Sequence, residues 1–77
     1  MKNVNELTVS TVFRSDKLKA LRIKMGLSQG ALARLVPMYQ SELSRIERGS
    51  RPSPTPEQGI RLCDIFGVDE DFFYQTK

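Results

Sequence analysis

Apolar and polar residues alternate with a helical period in the first half of this 77-residue chain. Leu18, Leu21 and Met25 lie three and four positions apart, and basic residues occupy many of the positions between them. This spacing places the three apolar side chains on one face of a helix. The pattern therefore predicts an amphipathic helix from about Ser15, whose hydroxyl is a suitable N-cap, to Met25, just before the helix-ending Gly26.

A second and a third helix are predicted on either side of a break at Pro37. Ser28 is a suitable N-cap for a helix that continues to about Leu35, because a proline disfavours helical geometry in the residue before it. After three residues the apolar spacing resumes over about residues 39–48. Gly49 ends this third helix, so two short helices flank a tight connection.

Two further helices are predicted after a loop at residues 50–54, which contains two prolines and two serines. Thr55 and Gln58 have the spacing of a capping box, and the helix that they begin ends at Gly67. Asp69 is the expected N-cap of a last short helix. This helix carries an aromatic group that is expected either to close the core or to face a second copy of the chain: Phe72, Phe73 and Tyr74.

Residues 7–13 have a different pattern from the rest of the chain. They are rich in β-branched side chains and roughly alternate, which favours a strand. A single strand needs a partner, and three arrangements are open. The first is a flexible arm, the second is packing on its own domain, and the third is strand exchange with a second copy of the chain.

Composition narrows the class of protein. With 39% hydrophobic and 27% charged residues, the chain is expected to form one small globular domain. One cysteine and no histidine exclude an internal disulfide and a Cys/His zinc site, so no metal is expected. Cys63 lies in an apolar stripe, where a thiol is usually a small buried hydrophobe. No apolar run approaches the roughly 18 residues of a membrane span, and no signal peptide is recognisable, so a cytoplasmic location is expected.

Charge is unevenly distributed along the chain. The net charge is +3, but residues 14–51 carry nine basic and three acidic residues, net +6, and residues 52–77 carry two basic and five acidic ones, net −3. Such an asymmetry indicates an anionic partner for one face of the domain, and a nucleic acid is the leading candidate.

An ordered series of residues runs between Ser28 and Gly49. Ser-Gln stands at a helix start, Leu-Ala follows one turn later, and Leu-Ser, Ile-Glu and Gly come after the break. The series resembles the helix-turn-helix of the phage repressor and Cro family, also called Xre-like, and the resemblance covers about residues 15–75. The matching residues are Ser28, Gln29, Leu32, Ala33, Leu43, Ser44, Ile46, Glu47 and Gly49.

The resemblance implies an all-α fold, a compact five-helix bundle of the phage repressor DNA-binding domain type. Residues 1–14 are expected to form an N-terminal arm, flexible or dimer-contacting, and residues 15–77 the DNA-binding domain. The implied function is that of a sequence-specific transcriptional regulator, typically a repressor, which binds double-stranded DNA as a homodimer on an inverted repeat. Such a protein is not an enzyme, needs no cofactor and is associated with the nucleoid.

Outward polar side chains on the third predicted helix are candidates for base recognition, since a helix fits the major groove. Gln40 suits adenine, Arg45 suits guanine or a phosphate, and Glu42 can accept a hydrogen bond from cytosine. Ser41 is a further candidate. The alternative for each is a solvated polar side chain.

Residues beside this helix are candidates for phosphate contacts. Gln29 lies in the first turn of the preceding helix, where free amides favour a phosphate, and the resemblance implies that it also braces the reading helix. Arg48, Ser50 and Arg51 follow the reading helix and suit further phosphate contacts, and Arg51 also suits the minor groove. The basic residues of the first helix are expected to be solvated: Lys17, Lys19 and Lys24.

The resemblance also implies a structural ion pair between Arg22 and Glu47. Two residues depart from the family pattern. Pro37 stands where the family prefers glycine, and its fixed negative φ predicts a turn that differs in detail. Tyr39 replaces the usual capping Ser or Thr. It is expected either to contact DNA, through its hydroxyl or its ring, or to pack against the turn.

A protein-interaction module is the competing hypothesis. An antitoxin of this kind binds a toxin as its main role, and DNA binding is secondary. The protein partner of such a module would be a toxin or a polymerase. Catalysis has little support, because the sequence has no histidine, no metal cluster and no phosphate-binding glycine loop.

Overall fold

The computed structural model describes residues 11–50 and 53–76, and within them five helices carry most of the chain. This confirms the mostly helical fold, but two three-residue strands correct the expectation that it is all-α. The elements in chain order are β1 (Thr11–Phe13), α1 (Ser15–Lys24), α2 (Gln29–Leu35), α3 (Gln40–Glu47), α4 (Pro56–Phe66), α5 (Glu70–Phe73) and β2 (Tyr74–Thr76).

The two strands join the beginning and the end of the domain. They pair antiparallel, with Thr11 opposite Thr76 and Phe13 opposite Tyr74. The described part of the N-terminal segment thus packs on its own domain, the second of the three arrangements considered. Residues 1–10, the rest of the expected arm, lie outside the described residues. Tyr74, expected in the last helix, begins β2 instead.

Local side-chain chemistry explains where several helices begin. The Ser28 hydroxyl accepts a hydrogen bond from the Ala31 amide at 3.0 Å, as predicted. Thr55 and Gln58 form the predicted capping box, with bonds of 3.1 and 3.0 Å. Helix α1 differs, because its N-cap is Arg14 and not Ser15, and α5 has no side-chain cap bond although Asp69 is its N-cap residue.

Helices α1 and α3 end in the same way. Gly26 and Gly49 have φ values of +73° and +79°, in the left-handed region that favours glycine. In α3 the Gly49 amide donates to the Ile46 carbonyl and the Ser50 amide to the Arg45 carbonyl, both at 3.0 Å. These two bonds define a Schellman motif, which satisfies the last carbonyls of the helix and turns the chain sharply away.

The core lies between the helices and against the two-stranded ribbon. Three large apolar side chains are about half exposed, because the neighbouring elements do not cover the full width of the apolar surface: Met25, Leu35 and Ile60. The buried core residues are Phe13, Leu18, Leu32, Ala33, Val36, Leu43, Ile46, Leu62, Cys63 and Phe73.

An aromatic cluster joins the ribbon to α4 and α5. The ring of Phe73 is fully buried and stacks on Phe13 with centroids 5.5 Å apart. Phe66 and Phe72 meet Phe73 edge to face, and Tyr74 meets Phe13 in the same way. The aromatic residues of the C-terminal segment therefore pack within their own domain. Of the two expected roles, closing the core and facing a second copy of the chain, the structure contains the first.

Candidate nucleic-acid interface

Helices α2 and α3 pack across one another through small and branched apolar side chains. Ala33 of α2 is 2% exposed and lies in the same buried cluster as Leu43 and Ile46 of α3. Its small side chain suits the close packing of two helices. The connecting turn begins at Val36 and contains a cis peptide bond before Pro37. No residue between Val36 and Tyr39 has a positive φ. The turn thus forms without the positive φ that glycine often supplies at the position of Pro37.

A buried carboxylate fixes α3 to the two preceding helices. Arg22 of α1 donates from Nε to Oε2 of Glu47 at 2.6 Å and from Nη2 to Oε1 at 3.0 Å. Gln29 of α2 donates from Nε2 to the same Oε1 at 3.1 Å. The side chains of Arg22 and Glu47 are 11% and 2% exposed. We call Arg22, Gln29 and Glu47 the brace.

The brace also reaches the connection between α1 and α2. The second terminal nitrogen of Arg22, Nη1, donates to the Leu27 carbonyl at 2.8 Å. The guanidinium therefore satisfies a carbonyl in the turn and two carboxylate oxygens at once. Gln29 is half-buried, and its side-chain amide donates to Glu47. The structure thus contains the expected bracing contact of Gln29, and its expected phosphate contact stays a prediction.

The outward face of α3 is polar and exposed. Gln40, Ser41, Arg45 and Arg48 are all exposed, while Leu43, Ile46 and Glu47 are buried on the opposite face. Ser41, Arg45 and Arg48 are four and three positions apart and therefore lie along one stripe. Ser44 lies within the same stripe, where its Oγ accepts a bond of 2.8 Å from Nη1 of Arg48. Helical spacing alone places Ser44 on this stripe, although it was not among the predicted contacts.

Gln40 stands at the first position of α3 and its side chain lies over α2. The carboxamide oxygen is 3.3 Å from the position that a Cβ atom on Gly30 would occupy. Glycine therefore leaves the surface open where the Gln40 amide rests. Gly30, which is unfavourable in a helix on propensity alone, has here a geometric reason for its presence.

Glu42 does not lie on the outward stripe with the other predicted readers. It is half-buried, and its Oε2 accepts a hydrogen bond of 3.4 Å from Gln58 of α4. The reason is its helical position, which is next to Ile46 on the inner side of α3. Glu42 thus links α3 to α4 in this structure.

Tyr39 precedes α3 and is 80% exposed. Its hydroxyl makes no capping bond to α3. A ring this exposed is not packed into the turn. Its contact with DNA stays a prediction.

The residues after α3 extend the exposed polar surface. Ser50 is exposed, and its backbone amide is part of the helix end. Arg51 lies outside the described residues, so its expected phosphate contact stays a prediction. Lys19 and Lys24 are exposed on α1, as expected for solvated side chains. Lys17 differs, because its ammonium lies 4.8 Å from the centroid of the Phe72 ring in a cation–π contact.

The remaining chemistry of the described part is sparse. Residues 11–50 and 53–76 contain no group of three or more side chains suited to a metal ion. None of the described helices is both long and apolar enough to cross a membrane. Burial raises the pKa of the Cys63 thiol, and the nearby carboxylates of Glu70, Asp64 and Asp69 add to the increase. Cys63 is therefore a protonated core residue, in agreement with the prediction.

Comparison with known proteins agrees with this geometry. The helix-turn-helix domain family matches residues 15–72. The chain is 35% identical over 65 residues to the HTH-type transcriptional regulator RamB of Mycobacterium tuberculosis. These 65 residues are 84% of the present chain. The match spans only 14% of the length of RamB, so the similarity concerns one part of that regulator.

Two solved structures are similar to this one. The restriction-modification controller protein C.AhdI from Aeromonas hydrophila is 28% identical with a TM-score of 0.65, over 73% of this chain and 83% of that one. A chain of the SinR protein/SinI protein complex is 24% identical with a TM-score of 0.69, over 75% of this chain and 56% of that one. Because the sequence identity to the second structure is only 24%, this similarity shows a shared fold and nothing further.

Proposed function

Because this chain belongs to the helix-turn-helix domain family, we propose that it is a transcriptional regulator that binds double-stranded DNA in a sequence-specific manner. In this proposal α3 enters the major groove and α2 crosses behind it. The observation that carries the proposal is the brace: a buried network holds α3 from its inner face and leaves Gln40, Ser41 and Arg45 exposed on the outer face.

A rigidly held helix is what base recognition requires. Hydrogen bonds to base edges depend on distance and direction, so the side chains that make them need a fixed backbone. Arg22 and Gln29 hold Glu47 near the C-terminal end of α3, and Leu43 packs the middle of the helix into the core. Movement of α3 relative to α1 and α2 would break these contacts.

The proposed contacts divide into two kinds. Gln40, Ser41 and Arg45 contact base edges, with the Gln40 carboxamide suited to adenine and Arg45 to guanine. Arg48, Ser50 and Arg51 contact phosphates, and Tyr39 adds its exposed hydroxyl or ring to the same surface. Glu42 is a weaker candidate for a base contact, because Gln58 already occupies one of its oxygens.

We further propose that the protein binds as a homodimer on an inverted repeat. An eight-residue α3 is only about 12 Å long at 1.5 Å per residue, and therefore covers a few base pairs. Two such helices in successive major grooves, about 34 Å apart, read a longer site and multiply the affinity. A domain that occupies a promoter in this way excludes polymerase, which supports repression as its action.

The experiment that tests the proposal is selection from a random DNA pool. The protein is incubated with random duplexes, and the bound fraction is recovered and sequenced. We expect an inverted repeat with half-site centres about 10 base pairs apart. Affinity for the selected duplex should fall steeply as salt rises from about 50 to 200 mM, because phosphate contacts release counterions.

Variants locate the interface on that selected duplex. Gln40→Ala and Arg45→Ala should each lower the affinity by between about fivefold and about 150-fold, since a good base contact contributes about 1–3 kcal/mol. Arg61→Ala is the matched control, because it removes an exposed arginine of α4 and should leave binding nearly unchanged. Folded protein that enriches no duplex would contradict the proposal and favour a protein-interaction module.

A further inference from the structure

Two side chains from different helices lie close to Gly30. The Gln40 carboxamide oxygen lies 3.3 Å and the Arg34 Nη1 atom 3.9 Å from the position of a Cβ atom on Gly30. Arg34 belongs to α2 and Gln40 to α3, so only the packing of the two helices brings them together. We call this group the Gly30 platform.

Helix geometry explains how Arg34 reaches the platform. Arg34 is four residues after Gly30, so both lie on the same face of α2. Long side chains in a helix point back toward its N-terminus, which carries the guanidinium over the preceding turn. A Cβ atom at position 30 would press on the Gln40 oxygen at 3.3 Å, whereas 3.9 Å from Arg34 Nη1 is an ordinary contact.

The other arginines of the described part identify Arg34 as unusual. Arg14, Arg22, Arg48 and Arg61 each donate a hydrogen bond to another group of the protein. Within residues 11–50 and 53–76, Arg34 and Arg45 are the arginines whose side chains make no such bond. Arg45 is a proposed reader of bases, and Arg34 is exposed as Arg45 is.

We propose that Arg34 binds a DNA phosphate next to the base pair that Gln40 contacts, and that Gly30 leaves the room in which the Gln40 carboxamide lies. This inference rests on the proposed function. A guanidinium presents parallel N–H donors that match phosphate oxygens. Arg34 therefore supplies the positive charge for a phosphate contact, and the neighbouring Gln40 carboxamide supplies the contact with a base. The platform thus joins affinity and specificity at the first position of α3.

The test compares Arg34→Ala with Arg61→Ala on the duplex selected by the wild-type protein. Each variant removes one exposed arginine, Arg34 on α2 itself and Arg61 on α4. The Arg61 Nε donates to the Leu35 carbonyl at the C-terminal end of α2, so both side chains lie at that helix. Binding is measured by fluorescence anisotropy at several salt concentrations. Arg34→Ala should weaken binding about tenfold at low salt and reduce the slope of log K against log salt by about one.

The outcomes separate the two proposals. If wild-type protein binds no duplex, the proposed function fails, and this inference fails with it. If wild type binds and Arg34→Ala matches Arg61→Ala in affinity and slope, only the Arg34 inference is wrong. A variant whose slope is unchanged but whose preference relaxes at one base pair would also overturn the phosphate assignment.

A second pair of variants tests the role of Gly30. Gly30→Ala favours the helix, so folding should be preserved, but its Cβ lies close enough to displace the Gln40 oxygen by a few tenths of an ångström. We expect Gly30→Ala to weaken binding severalfold in wild type and to add little in the Gln40→Ala background. Equal losses in the two backgrounds would overturn the role assigned to Gly30.

Discussion

At the residue scale, Glu47 is the one charged residue buried in the described part of the chain. Removing a carboxylate from water costs free energy, and a bidentate guanidinium with one further amide offsets that cost. The net contribution of such a pair is often small. The penalty for removing one partner is large, because the other charge is left buried without compensation.

We therefore expect Glu47→Ala to lower the free energy of unfolding by about 3–5 kcal/mol. That is a large share of the roughly 4–12 kcal/mol expected for a domain of this length. Urea denaturation followed by circular dichroism measures the change. Arg48→Ala, the neighbouring exposed residue, is the control and should cost less than about 0.5 kcal/mol.

The double variant Arg22→Met/Glu47→Leu distinguishes a buried charge from lost packing. It removes both charges and keeps apolar volume, so it should recover much of the stability lost in Glu47→Ala. Similar losses in the single and double variants would show that the Arg22–Glu47 pair itself, and not an isolated charge, stabilises the fold.

Residue-scale features differ in how far the sequence predicts them. The outward positions of α3 follow from helical period and the family resemblance, and so does the expectation that Arg22 meets Glu47. The hydrogen bond between Glu42 and Gln58 and the position of the Gln40 carboxamide over Gly30 do not follow. Both join residues of different helices, and spacing within one helix does not contain such contacts.

At the scale of elements, helix boundaries were largely predictable because their signals are local. The caps at Ser28 and Thr55 act within three residues, and the ends at Gly26 and Gly49 need only a glycine. The alternating pattern of residues 7–13 predicts a strand but does not identify its partner. Its partner begins at Tyr74, at the opposite end of the chain, so the pairing depends on the whole fold.

The contact between α4 and β2 yields an element-scale prediction. The Tyr74 hydroxyl packs directly on Gly59 and would collide with a Cβ atom there. In the wild-type background, Gly59→Ala should lower the free energy of unfolding by about 1 kcal/mol, since overpacking outweighs the gain in helix propensity. In the Tyr74→Phe background, the same change should raise it by up to about 1 kcal/mol.

A double-mutant cycle by thermal denaturation measures this coupling. Without the hydroxyl, the nearest ring atom is Cζ, 3.4 Å from the Cβ position, which is an ordinary contact. The ring itself is kept in Tyr74→Phe, so packing on Phe13 is preserved. A change that is the same in both backgrounds would mean that Tyr74 does not rest on Gly59.

At the scale of the whole molecule, the protonation of two side chains links stability to alkaline pH. Burial raises the pKa of the Cys63 thiol, and also that of the Tyr74 phenol, with Cys63 and Glu70 as further causes for Tyr74. A raised pKa means that the folded state holds the proton more tightly than the unfolded state. The resulting contribution to the free energy of unfolding is fully present below the ordinary thiol pKa near 9.0. It is lost as pH rises further, because the unfolded state then releases its proton before the folded state does.

We therefore expect the urea midpoint to fall as pH rises from about 8 to about 10.5. Cys63→Ala removes one of the two groups, so its midpoint should fall less over the same interval, whatever its starting stability. The measurement is a series of urea titrations of both proteins at matched salt. Parallel declines in the two proteins would mean that the thiol ionises equally in the folded and unfolded states.

The β1–β2 ribbon has a mechanical consequence. Tension applied through Thr11 and Thr76 acts on the open end of an antiparallel pair, so the hydrogen bonds carry the load one after another and not together. The ribbon peels toward Phe13 and Tyr74, and the helices bear no tension until those two rings separate. The force at which the domain begins to extend is therefore set by three residue pairs and by the side-chain hydrogen bond from Arg14 to Gln75, and α3 stays unloaded while they open.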